Sequence, residues 1–191
     1  MIELKIGRTA LRWDFSFFAV LAVFFWLDKT GFGLMSLSIC AAHELAHLVV
    51  MKTAGINPDS VTFYGAGIRI TAPETDSRSP AVQAAVYAAG CVMNLLLAGG
   101  LLAVGNENAA AVSLFTGIFN LLPIGEFDGR RLLKLLFIAI LKPENVDGAL
   151  RVCGITSTVT GAAAVIILGK GASPTLLITM IYLIVMSLRR V

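Results

Sequence analysis

The sequence predicts an all-α polytopic membrane protein with about six transmembrane helices and a small membrane-associated β-hairpin between the second and third. Three observations lead there: an apolar composition, a series of apolar segments near bilayer length, and a lopsided distribution of lysine and arginine. Hydrophobic residues make up 57% of the 191-residue chain and charged residues 14%, against roughly 45–50% and roughly 25% in a soluble domain. Mean hydropathy is +0.84. This excludes a disordered chain, a collagen-like fibre and a secreted disulfide scaffold, and it leaves more apolar surface than a water-soluble core could cover. The net charge of +3 is too small and too scattered for a nucleic-acid partner. Cys40, Cys91 and Cys153 lie in apolar stretches without CxxC spacing and read as reduced core residues.

A helix that crosses the hydrocarbon core needs about 20 mostly apolar residues. Six segments approach that length: 11–27, 33–54, 80–104, 109–122, 152–168 and 173–188. The first follows Lys5, Arg8 and Arg12 and so imitates a signal peptide, but no small-x-small pattern follows it, and a retained helix is expected. A further apolar run at 130–142 is too short to span. Its Arg130, Arg131 and Lys134 flank leucines, as in an interfacial segment that anchors on anionic headgroups.

Six spans place both termini, the 52–80 loop and the 130–151 region on one side. That side holds 13 lysines and arginines; the other holds Lys29 and Lys170. Positive charge stays inside, so both termini are expected to be cytoplasmic. Residues 60–71 read SVTFYGAGIRIT, with apolar and polar residues alternating on either side of Gly65-Ala66-Gly67, a strand–turn–strand signal. The expected organisation is one integral-membrane domain over 1–191, with no PDZ insertion and no C-terminal regulatory domain.

The two histidines of the chain stand in His43-Glu44-Leu45-Ala46-His47, in the second span. Residues four apart on a helix share a face, with Cβ atoms about 5–6 Å apart, so both imidazoles can grip one ion. Glu44, beside the first, can reach water at that ion; this is the HExxH arrangement of zinc hydrolases. The alternative is a buried polar cluster that only packs helices. Ionisable groups inside a membrane are costly, which favours a functional site.

A catalytic zinc has three protein ligands and one open position. Cys40 shares the face of His43 but lies a further turn away, about 4.5 Å along the axis, and does not fit without deforming the helix. Asp128 and Glu126 remain. Both follow Pro123, which interrupts helical hydrogen bonding, in a stretch where Gly125 and Gly129 allow the backbone to turn a carboxylate inward. Spacing leaves both open.

At these residues the sequence resembles the site-2 proteases, a family of intramembrane zinc metalloproteases. The likeness covers residues 10–142 and rests on three places. One is His43-Glu44-Leu45-Ala46-His47. The second is Asn120-x-x-Pro123-x-x-x-x-Asp128-Gly129, similar to the family's Asn/Pro/Asp-Gly motif. The third is Gly90-Cys91-Val92-Met93-Asn94, similar to its Gly-Pro-x-x-Asn motif, with Cys91 where proline is usual. Gly125 and Glu126 also replace a proline-rich turn, and Phe127 stands where leucine is common.

The resemblance implies that His43, His47 and Asp128 hold one zinc ion and that Glu44 is the general base. It is nearest to the compact six-span branch that includes the sporulation protease releasing a membrane-held pro-sigma factor. It implies a bacterial cytoplasmic membrane and a membrane-embedded protein substrate, such as a membrane-held transcription-factor precursor. Asn120 and Asn94 are the amides near the core that could donate to a developing oxyanion; the alternative is that they join helices. The 60–71 hairpin could pair with an unwound substrate by strand addition. Two rival classes are a metal-binding or metal-transporting membrane protein and an inactive protease that serves as a scaffold. The nearly apolar outer halves of the spans disfavour transport, and the intact Glu44 disfavours the scaffold.

Overall fold

The computed structural model describes residues 1–28, 30–65, 67–124 and 127–168. The expected span at 173–188, and Gly125 with Glu126, lie outside the described residues. The chain forms two compact units, Met1–Ile118 and Phe119–Val191.

The first unit opens with strands β1 (Ile2–Ile6) and β2 (Thr9–Trp13), then helices α1 (Phe15–Leu27) and α2 (Phe32–Thr53). Strands β3 (Ser60–Tyr64) and β4 (Gly67–Thr71), a 3₁₀ turn at Pro73–Ser77, and α3 (Pro80–Ala103) follow; most of α4 (Glu107–Asn120) completes it. The expected hairpin is present as the antiparallel pair β3–β4. It belongs to a four-stranded sheet of order β1-β2-β3-β4, because β2 pairs in parallel with β3 and antiparallel with β1.

The register makes this sheet two-faced. Ile2, Trp13, Phe63 and Ile68 lie in one row and Leu4, Leu11, Val61 and Ile70 in another, all on one face. Glu3, Arg12, Thr62 and Arg69 form a row on the other face, where the Arg12 Nε donates to Glu3 at 3.0 Å. Helix α1 covers part of the apolar face. Its Phe17 ring lies 5.5 Å from Phe63, and Phe63 stacks on Trp13, also at 5.5 Å.

The first span was expected from residue 11. Residues 11–13 are instead strand, and the helix begins at Phe15. Asp14 sets that start: its carboxylate accepts from the Ser16 hydroxyl at 2.7 Å and the Ser16 N–H at 2.8 Å, and these bonds hold its pKa below the usual carboxylate range. At 13 residues α1 is about 20 Å long, short of a full bilayer core. Asp28 ends α1 and starts α2. Its carboxylate accepts from the N–H groups of Thr30 and Gly33, which lower its pKa likewise.

Among the described residues, α2 and α3, with 22 and 24 residues, are long and apolar enough to cross a membrane. They pack against each other, and their buried stripes carry the candidate site. Of the cysteines, none in a disulfide among the described residues, Cys91 is buried, Cys153 half-buried and Cys40 exposed. Only Cys91 is therefore the core residue expected of all three.

In the second unit, α5 (Asp128–Ile140) occupies the short apolar run, and α6 (Pro143–Leu168) begins nine residues before the expected 152. Hydropathy hides that start, because the first turns carry Glu144, Asn145, Asp147 and Arg151 while Pro143 stands ready-made at the first helical position.

The Trp13–Phe63 stack joins the two halves of the sheet. A double-mutant cycle of Trp13→Ala and Phe63→Ala, followed by unfolding in mild detergent, should give a coupling of about 0.5–1.5 kcal/mol. Additive effects would show that the stack does not hold β2 on β3.

Candidate metal centre

Helix α2 turns His43, Ala46 and His47 inward at helical spacing and leaves Leu45 exposed. Glu44 is half-buried. Helix α3 answers with Val86, Tyr87, Gly90, Cys91, Asn94 and Ala98, a stripe at three- and four-residue spacing. Both histidines are buried, 3% and 6% exposed, and their rings meet edge-on at 74°.

The ring nitrogens fall into two sets. The two Nε2 atoms converge to 3.2 Å. The two Nδ1 atoms point outward to partners on α3: that of His47 lies 2.7 Å from the Val86 carbonyl and that of His43 lies 3.1 Å from Nδ2 of Asn94. A carbonyl only accepts, so His47 carries its proton on Nδ1 and keeps a lone pair on Nε2. Asn94 is fully buried and fixed from behind. The Ser113 hydroxyl donates to its backbone carbonyl at 2.9 Å, and Gly117 comes so close that a Cβ there would lie 3.1 Å from the Asn94 Cβ.

This geometry suits zinc. Two nitrogens bound tetrahedrally at about 2.0–2.1 Å lie about 3.3 Å apart, close to the 3.2 Å observed. Gly90 keeps the space beside them open. A Cβ at position 90 would overlap His43 Nε2 and lie 2.5 Å from His47 Nε2.

The second unit presents Asp128 in the first turn of α5. Helix α4 ends at Asn120, just before Pro123, as the proline predicts. The Ile124 N–H donates to the Leu122 carbonyl and the Phe127 N–H to Ile124, while the Phe127 ring rests on Phe119 at 5.0 Å. Gly129 lies on the Leu121 carbonyl, where any Cβ would overlap it. Asp128 and Asn120 are both half-buried. The alternative ligand Glu126 lies outside the described residues.

Sequence reasoning quoted Gly90 within a motif but gave it no task, and it missed the Val86 carbonyl entirely. A carbonyl leaves no trace in residue identity. Gly90 does leave one: Val86, Gly90 and Asn94 recur at every fourth position, with glycine in the middle of the stripe.

No family model matches the chain. The chain is 34% identical over 128 residues to "Putative zinc metalloprotease Rip3" of two Mycobacterium tuberculosis strains, a match covering 59% of this chain and 32% of that protein. The chain thus matches about a third of the length of these curated relatives. It also matches the solved structure of the site-2 protease from Methanocaldococcus jannaschii, with a TM-score of 0.70 at 16% identity, over 98% of this chain and 94% of that one. The fold is that of a site-2 protease.

The Gly90 contact yields a direct test. Gly90→Ala should cut bound zinc from about one per chain to a small fraction of that, measured by elemental analysis, because the methyl group fills the space at both Nε2 atoms. Circular dichroism should show the helices retained. Full zinc content in a folded Gly90→Ala protein would place the ion elsewhere.

Proposed function

We propose that this chain is an intramembrane zinc metalloprotease that hydrolyses a peptide bond within or near a transmembrane segment of a membrane-bound substrate. The observation that carries the reading is the convergence of two buried Nε2 atoms at 3.2 Å, on a helix apolar enough to cross a membrane. In this reading His43, His47 and Asp128 are the residues that hold the metal, one zinc per chain, as the HExxH and Asp-Gly motifs support. When bound, zinc supplies Lewis acidity, polarising a carbonyl and acidifying water.

The chain's own residues do the rest. The Glu44 carboxylate takes the proton of the attacking water and delivers it to the leaving amine nitrogen. The developing oxyanion needs a neutral donor, and Asn120 and Asn94 were the candidates. The Asn94 amide lies on His43 Nδ1, which favours Asn120 for that role.

A substrate helix has its backbone bonded internally and must unwind before hydrolysis. Strand β4 is an edge of the sheet and offers backbone groups to an unwound segment. We assign the chain a single membrane domain over 1–191, six spans with both termini cytoplasmic in a bacterial membrane, and a membrane-embedded substrate of the transcription-factor-precursor type. The basic first turns of α5, with Arg130, Arg131 and Lys134, suit an anionic headgroup layer.

Two substitutions test the reading. Glu44→Gln should retain zinc while cleavage of single-span peptides in micelles falls by about 10²–10⁴-fold. A metal carrier or scaffold would be indifferent to this change, so unchanged peptide cleavage or unchanged metal transport would sink the general-base assignment. Asp128→Ala should lose zinc or hold it far more weakly; full retention would remove Asp128 from the ligand set and make Glu126 the residue to replace next.

A further inference from the structure

A histidine that binds a metal through one ring nitrogen almost always donates its other N–H to an acceptor, which fixes both tautomer and ring plane. His47 meets this condition through the Val86 carbonyl. His43 can offer an Nε2 lone pair only if its proton also sits on Nδ1. The group facing that atom is the side-chain amide of Asn94, at 3.1 Å.

Asn94 is fully buried, and its Oδ1 has no hydrogen-bond partner among the described residues. A buried amide oxygen left unpaired is costly. The amide is planar and its ends are nearly alike in size, so a half-turn about χ2 exchanges Oδ1 and Nδ2 within the same volume. Ser113 and Gly117 fix the backbone and Cβ of Asn94, which leaves that half-turn as its remaining freedom. One end of the amide lacks a partner either way, so the ring decides. Binding an ion at Nε2 leaves the proton of His43 on Nδ1, and only Oδ1 can accept it.

We infer that Asn94 is a positioning residue for metal binding: its Oδ1 accepts the Nδ1–H of His43, as the Val86 carbonyl accepts that of His47, and so presents the His43 Nε2 lone pair to the ion. The inference rests on the proposed zinc site. It also replaces the role expected from sequence. Asn94 approaches the ring from the Nδ1 side, away from Nε2, and acts through His43 rather than on a reacting carbonyl.

The test is zinc affinity by chelator competition for the detergent-solubilised full chain, in wild type, Asn94→Leu and Asn94→Asp. It is paired with ¹H–¹⁵N spectra of zinc-loaded protein labelled at its two histidines. Asn94→Leu removes the acceptor and should weaken zinc binding about 10–100-fold. Asn94→Asp keeps an acceptor of the same shape and should bind at least as tightly as wild type. Both Nδ1–H protons should resist exchange in wild type and Asn94→Asp. In Asn94→Leu only that of His47 should persist, which also reports that α2 and α3 remain packed. Equal zinc affinity in wild type and Asn94→Leu, or an Asn94→Asp protein as weak as Asn94→Leu, would overturn the inference. A wild type that binds no zinc would overturn the metalloprotease reading and this inference together, an outcome distinct from either of those.

Discussion

An imidazole buried in an apolar helix needs a partner for the ring nitrogen that faces away from the metal position, and the rest of the centre follows from that need. Helix α3 supplies both partners, a backbone carbonyl at Val86 and a side-chain amide at Asn94. These residues are eight apart, about 12 Å along a helix, whereas His43 and His47 are four apart, about 6 Å. The rings therefore splay: their Nδ1 atoms diverge toward the two ends of the α3 stripe, and their Nε2 atoms converge between them. The residue midway along that stripe is Gly90, which lies where the two Nε2 atoms meet. A side chain at that position would fill the space that the partners on either side create.

That arrangement has to be held without water to drive the helices together. Helices in lipid associate through close packing of small residues and a few buried hydrogen bonds. The buried stripe of α4 within the first unit is Ala109, Ala110, Ser113 and Gly117, all small. Ser113 donates to the Asn94 carbonyl, and Gly117 lets the backbone approach the Asn94 Cβ. The support thus runs from α4 to α3 to the rings on α2. Each step uses small residues where backbones must approach and a polar side chain where a buried group would otherwise lack a partner.

The parts of this structure that were legible in the sequence are those that rest on short-range spacing. His43 and His47 share a helix face because they are four apart, and residues 60–71 form a hairpin because each strand partner is a few residues away. Strands β1 and β2 were not legible. Leu11 and Trp13 alternate with Ala10 and Arg12, but the feature that makes them a strand is parallel pairing with Ser60–Tyr64, some fifty residues on. Without that partner, Arg12 reads as the basic flank of a membrane helix. The start of α6 was hidden because hydropathy responds to apolar content, and its first turns are polar. The partners of the histidines were half legible: Asn94 is a side chain and could be nominated, though for another task, while the Val86 carbonyl could not be nominated at all.

The aspartate is set up by a different physical logic. A ligand on the face of a long helix inherits its position from the helix and needs only its ring oriented. A ligand beyond a helix break has no such frame. The segment after Asn120 obtains one from backbone packed on backbone. Gly129 rests on the Leu121 carbonyl, and Gly154 of α6 stands where a Cβ would come within 2.9 Å of the Pro123 carbonyl. Two glycines therefore pin the turn at both sides, and Asp128 emerges from it in the first turn of α5, where the positive end of the helix dipole favours a negative charge. The neighbouring Gly129 is thus part of how the carboxylate is held. The same residue type serves both halves of the proposed ligand set, Gly90 by leaving room beside the ring nitrogens and Gly129 by letting the backbone close beneath the carboxylate.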